Sequence, residues 1–61
     1  MDVRQYRKIG YLIKSLQKKF LEIRDRVGDP EDDEEFAMLF IDMGDSIERI
    51  IAYIAEKTNQ Q

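Results

Sequence analysis

Apolar residues recur along the first half of the chain in alternating steps of three and four. That set is Tyr6, Ile9, Ile13, Leu16, Phe20, Ile23 and Val27. After a break, a second set keeps the same rhythm: Phe36, Phe40, Met43, Ile47, Ile50 and Ile54. This spacing holds apolar side chains on one side of an α-helix and is typical of a coiled-coil seam. The pattern therefore predicts two long helices and no β-strand.

The break between the two patterns is Gly28-Asp29-Pro30. Gly28 suits the left-handed position after a helix, Asp29 can accept hydrogen bonds at the start of the next one, and Pro30 fits the first helical position. We predict a single domain over residues 1–61. Its parts are helix 1 over about 2–27, a turn at about 28–29 and helix 2 over about 30–58.

Acidic residues favour both predicted helix starts. Asp2, followed three residues later by Gln5, resembles a capping box. Five acids after Pro30 are expected within the first turn or so of helix 2, where the helix dipole favours negative charge. They are Glu31, Asp32, Asp33, Glu34 and Glu35.

The apolar surface of two antiparallel helices is wider here than one helix pair can cover. Leu12, Leu39, Ile51 and Tyr53 flank the two stripes. The chain has 61 residues and no cysteine or histidine, so neither a disulfide nor a zinc site supports its small core. We predict an all-α, antiparallel two-helix hairpin that dimerises into a four-helix bundle. The predicted dimer core is Ile9, Leu12, Ile13, Leu16, Phe20, Phe36, Leu39, Phe40, Met43, Ile47, Ile50, Ile51 and Ile54.

Gly10 and Gly44 interrupt the predicted helices, and each costs about 1 kcal/mol relative to alanine. Both flank the apolar stripes. We expect each glycine to let a neighbouring helix approach closely or to leave room for a bulky side chain.

The net charge of −3 conceals two opposite halves. Residues 1–28 contain eight Lys or Arg and three Asp or Glu residues, whereas residues 29–61 contain two Lys or Arg and ten Asp or Glu residues. No apolar run approaches the roughly 18 residues of a membrane span, and the start lacks the apolar segment of a signal peptide. We therefore expect a cytoplasmic protein that does not contact a membrane.

The residue types argue against catalysis. Ser15 and Ser46 have no predicted base beside them, and no glycine-rich phosphate loop is present. Acids three residues apart, such as Asp42 and Asp45, invite comparison with helical metal-dependent nucleotide hydrolases. With the apolar stripe inside, however, these acids point outward, whereas a magnesium site in a bundle needs inward-facing acids. We predict no enzyme, no metal and no cofactor.

A basic stripe lies on the face of helix 1 opposite the apolar stripe. It consists of Arg4, Arg7, Lys8, Tyr11, Lys14 and Lys18. Paired in a dimer, two such helices would present cations and a stacking tyrosine to RNA or DNA. In architecture and length this dimer resembles the plasmid-encoded repressor of primer family, whose helical hairpins bind paired RNA loops. The ten acids of the second half oppose this reading, so nucleic-acid binding is the alternative hypothesis.

Exposed apolar residues point to a protein partner. Leu21, Met38 and Ile41 project away from the predicted bundle. They are either scattered surface residues, a further contact of the bundle or a binding site for another protein. Together with Asp42 and Asp45, Met38 and Ile41 form an acid-rimmed patch suited to a basic target, including a nucleic-acid-binding protein. We predict a homodimeric, non-enzymatic interaction protein that acts as a regulator, inhibitor or adaptor. Compact acidic proteins of this size are frequent among phage and plasmid accessory products, so the chain is a candidate for such an origin.

Overall fold

The computed structural model describes residues 1–28 and 30–59 and contains two α-helices, α1 (Val3–Val27) and α2 (Glu34–Asn59). They pack against each other, and no strand occurs within those ranges. The predicted all-helical hairpin is therefore confirmed. It measures 45 × 18 × 14 Å, with a radius of gyration of 14.0 Å, against about 10.5 Å for a compact domain of this length. The hairpin is an elongated rod rather than a globule.

The ends of α1 follow local chemistry. The Asp2 carboxylate accepts the Gln5 backbone N–H at 2.9 Å, and the Gln5 side-chain oxygen accepts the Asp2 N–H at 2.9 Å. The predicted capping box is thus confirmed, and it satisfies two N–H groups that the helix leaves unpaired. At the other end, Gly28 donates its N–H to the Arg24 carbonyl and takes a φ of 77°. Only glycine adopts this positive φ without steric cost.

The second helix begins four residues later than predicted. Asp33, not Asp29, caps it: its Oδ1 accepts the Phe36 N–H at 3.1 Å, and its carbonyl accepts the Ala37 N–H at 2.9 Å. Pro30 therefore precedes the helix, and Glu31 and Asp32 lie in a turn. Asp29 and Asp33 are both residue types that cap helices. A cap at Asp33 makes the connection between the helices longer, so the chain has more residues in which to reverse its direction. Asp29 itself lies outside the described residues.

Glutamates 34 and 35 are the acids that occupy the first turn of α2. The expectation that five acids share that turn is wrong, because Glu31 and Asp32 precede the helix and Asp33 forms its cap. The favourable interaction with the helix dipole is consequently limited to the two glutamates and the capping carboxylate.

Gly10 and Gly44 lie at two points of tight contact between the helices. A Cβ added at Gly10 would lie 3.0 Å from Cγ2 of Ile54, and one at Gly44 would lie 3.0 Å from Cε1 of Phe20. Each helix thus offers one small residue to one large residue of the other, and these contacts show that the helices run antiparallel. The glycines lie in the contact itself rather than beside it, and they allow the expected close approach.

The seam between the helices is rotated from the predicted stripes. Buried or half-buried residues recur along α1 at Val3, Tyr6, Gly10, Ile13, Gln17 and Phe20. Along α2 they recur at Ala37, Phe40, Gly44, Ile47, Ile51, Ile54 and Thr58. Gly10 and Gly44 in this contact let the two backbones approach closely. Each helix is rotated accordingly, and every second residue of each predicted stripe lies outside the contact. The displaced residues are Ile9, Leu16, Ile23, Phe36, Met43 and Ile50, all of them exposed. Val27, the last residue of α1, is exposed as well.

The core of a single hairpin is correspondingly small. Phe20, Ile47 and Ile54 are its buried apolar side chains. The Phe20 ring packs 4.7 Å from the Phe40 ring, and the Tyr6 and Tyr53 rings lie 6.5 Å apart. One helix pair therefore covers only part of the apolar surface that the sequence provides.

Candidate functional site

One side of the hairpin carries a continuous set of exposed large apolar side chains. All but one of them directly precede a residue of the seam, as Leu16 precedes Gln17 and Met43 precedes Gly44; Ile23 instead precedes Arg24, about one turn after Phe20. In an antiparallel helix pair, such positions fall on the same side of both helices. We call this set the apolar face: Ile9, Leu12, Leu16, Ile23, Phe36, Leu39, Met43, Ile50 and Tyr53.

Seven of the thirteen predicted dimer-core residues belong to this apolar face. They are Ile9, Leu12, Leu16, Phe36, Leu39, Met43 and Ile50. The other six lie in the seam of one hairpin, where Phe20, Ile47 and Ile54 are buried and Ile13, Phe40 and Ile51 are half-buried. The predicted core thus divides into an inner part, which one chain fills, and an outer part, which one chain leaves open.

The opposite side of the hairpin carries two grooves, and we call it the groove side. Residues that directly follow seam positions line both grooves. The basic groove, near the chain ends, has a volume of about 390 Å³. Its walls include Arg7, Tyr11 and Lys14 from α1 and Ala55 from α2, and Gly10 lies in its floor.

The basic stripe lies beside the helix contact, not opposite to it as predicted. Arg7 and Lys14 directly follow seam residues and therefore border the second helix. The rotation of the seam, which brings Gly10 into the contact, causes this difference. Tyr11 is 73% exposed, so its ring is available to a ligand.

The second groove is smaller, about 160 Å³, and lies toward the connection between the helices. Leu21 and Ile41 form its exposed lips, one from each helix, and the Phe20 ring and Gly44 form its floor. We call it the acid-rimmed groove. Its remaining wall residues are Gln17, Arg24, Phe40, Asp45 and Glu48.

The predicted partner-binding residues fall on or near the groove side. Ile41 and Asp45 line the acid-rimmed groove, and Met38 follows the seam residue Ala37 on the same side. Asp42 lies next to Ile41, farther round α2. Met38 and Ile41 are both exposed.

The candidate residues for metal or nucleophilic chemistry are not assembled into a site. Over residues 1–28 and 30–59, no group of three Asp or Glu side chains is placed to hold a metal ion. The Ser15 hydroxyl donates to the Tyr11 carbonyl at 3.2 Å, within its own helix. Neither helix, over the described positions, is long and apolar enough to pass through a bilayer.

No family model, curated protein or solved structure matches this chain. The surfaces of the hairpin therefore carry the functional argument. Three wall residues of the acid-rimmed groove, Gln17, Arg24 and Glu48, were not predicted as site residues. A usable signal existed, because Leu21 and Ile41 each directly follow a seam phenylalanine and so must flank the contact on one side.

Proposed function

We propose that this protein is a small, non-enzymatic homodimeric interaction protein of the cytoplasm. Two hairpins pack apolar face against apolar face as a four-helix bundle, and the dimer binds another protein as a regulator, inhibitor or adaptor. The observation that carries the proposal is the apolar face, in which nine large apolar side chains are exposed along the length of one hairpin. Burying such a face is the main favourable term in association.

The accessible surface supports the dimer quantitatively. One hairpin exposes 5374 Å², whereas a compact monomer of 7.3 kDa exposes about 4,200 Å². The excess, about 1,200 Å², exceeds the roughly 800 Å² that each partner contributes to an interface of standard size. A second copy of the same face would remove this excess symmetrically, as two-fold dimers do.

The groove side remains accessible in such a dimer. It lies opposite the apolar face, so Met38, Ile41 and Asp45 would still face solvent after association. An apolar patch rimmed by Asp42 and Asp45 suits a protein with basic residues around an apolar contact. This patch is our candidate for the partner-binding surface.

Substitution of the patch provides the test for a protein partner. We expect Met38→Asp or Ile41→Asp to abolish capture of the partner from the native host, because each inserts a charge into the apolar contact. Affinity purification with mass spectrometry measures capture. Helicity and oligomer mass should stay unchanged, since both side chains are exposed.

Ala52→Asp is the matched control. Ala52 directly follows Ile51 and lies on the groove side, toward the other end of α2. This variant should retain capture. Undiminished capture by both patch variants would remove Met38 and Ile41 from the binding surface.

A second candidate function is RNA or DNA binding by the basic stripe. The observation that favours it is the composition of the basic groove: Arg7 and Lys14 line it, and no acid does so among the described residues. Phosphates could approach this groove without meeting the acidic residues that dominate the second half of the chain. Exposed Tyr11 would stack on an unpaired base.

Charge reversal tests this candidate. In gel-shift titrations with an RNA hairpin pair and with duplex DNA, we expect Arg7→Glu with Lys14→Glu to abolish a salt-sensitive complex. Lys19→Glu with Arg26→Glu makes the same change in net charge outside the basic stripe and should weaken binding much less. The absence of any shift by the unaltered protein at low salt would eliminate nucleic-acid binding.

A further inference from the structure

The acid-rimmed groove combines an apolar notch with negative charge. Gly44 has no side chain, so the edge of the Phe20 ring comes within 3.0 Å of the position that a Cβ would occupy. The Phe20 ring and Gly44 therefore form the floor of the groove between the two helices. Leu21 is 43% exposed and Ile41 is 60% exposed, so the lips of the groove present apolar surface to solvent. An apolar side chain from outside would contact both helices here.

Acids outnumber cations along the α2 wall of the groove. Asp45 and Glu48 line its α2 wall, while Arg24 is the cation among its lining residues. On α1, Lys18 and Asp25 lie about one turn before and after Leu21. On α2, Asp42 directly follows Ile41 and Arg49 directly follows Glu48. The complementary ligand therefore places cationic groups on the α2 side and an apolar group in the middle.

The shape of the groove favours a helix as its ligand. It follows the line between two packed helices, where a third helix can lay a row of side chains spaced three or four residues apart. Both walls are helical over the groove, and their backbone groups are paired within the helices, so no strand edge is offered to an extended peptide.

We propose that the acid-rimmed groove binds a basic amphipathic helix of a partner protein. One apolar residue of that helix fits between Leu21 and Ile41 over Gly44, and its Lys or Arg residues contact Asp45 and Glu48. This inference rests on the proposed function, since it specifies the chemistry of the partner that the dimer binds. It also extends the binding surface to Leu21 and Glu48.

The test uses a fluorescent synthetic helix with leucines at i, i+4 and i+7 and lysines on the flanking positions. We expect saturable binding to the full chain by fluorescence anisotropy. The same peptide with glutamate in place of every lysine should bind at least tenfold more weakly. Leu21→Ser should also weaken binding of the lysine peptide at least tenfold.

Two charge-reversal pairs separate the groove from general attraction to an acidic protein. Asp45→Lys with Glu48→Lys should reduce affinity at least tenfold more than Glu31→Lys with Asp32→Lys, which makes the same change in net charge before α2 begins. The neutral pair Asp45→Asn with Glu48→Gln serves if the lysine pair disturbs helicity. Equal effects of the groove and control pairs would overturn the inference.

Oligomer mass distinguishes this inference from the proposed function. If the protein is a dimer and Met38→Asp abolishes partner capture, yet the lysine peptide does not bind, the groove inference fails and the proposed function stands. A groove variant that changes the oligomer mass would make the groove a contact between copies, which also overturns the inference. If the protein is a monomer and still binds the peptide in the groove, the proposed dimer is wrong and the groove inference stands.

Discussion

Leu16→Glu combined with Met43→Glu should dissociate the proposed dimer and remove most of the helicity of the protein. Leu16 is 51% exposed and Met43 is 46% exposed in one hairpin, and both belong to the apolar face. About half of each side chain is already covered within one hairpin, so four side chains per dimer would lose burial worth about 1 kcal/mol each. The dissociation constant should therefore rise about a thousandfold. Analytical ultracentrifugation and circular dichroism measure the two effects.

The control exchanges the same residue types on the groove side. Leu21→Glu with Met38→Glu should preserve a mass of twice 7.3 kDa and leave the melting temperature nearly unchanged, because neither residue lies on the apolar face. If the unaltered chain sediments as a folded monomer at micromolar concentration, or if both double variants behave alike, the apolar face is not a dimer interface.

Phe20→Ala should destabilise the protein by about 3–5 kcal/mol, which is a large part of the stability expected for a small domain. The ring is 6% exposed and fills the space between Phe40 and Gly44. Its removal leaves a cavity in a core with few other buried side chains. Urea unfolding followed by circular dichroism measures the loss, and Tyr11→Ala, at an exposed position, should change stability by no more than about 0.5 kcal/mol.

The same ring makes Gly44 a sensitive position. An added methyl group would meet Cε1 of Phe20 at 3.0 Å, which offsets the gain of about 1 kcal/mol that alanine brings to a helix interior. In a Phe20→Leu chain the methyl group has more room. We therefore expect Gly44→Ala to be more favourable in that chain by about 1 kcal/mol. Equal effects in the two chains would contradict the close contact.

The helices and one of their caps were predictable, because their signals are local. Steps of three and four define the helices, and Asp2 with Gln5 defines the first cap. The start of α2 was not predictable, because Asp29 and Asp33 are the same residue type and equally good capping residues. The residue type alone therefore does not fix where this helix begins.

The orientation of the helices was not predictable from apolar spacing. Stripes that contain Ile9 and Met43 satisfy the same rhythm as the seam that the structure shows, because both share residues such as Phe20 and Ile54. The glycines decide between them, since only close backbone approach makes Gly10 and Gly44 better contact residues than their larger neighbours. The two grooves follow from that rotation and were therefore missed as well.

The reciprocal glycine contacts also fix how far one helix can slide along the other. Ile54 of α2 fits at Gly10, and Phe20 of α1 fits at Gly44, some distance along the rod. Axial displacement by a single turn would withdraw both bulky groups from their recesses at once and drive them against positions that carry Cβ atoms. Slipped alignments are a common hazard in repetitive helical sequences. Here each slipped alignment is destabilised at both glycine contacts, so a chain with few buried residues can still select one register.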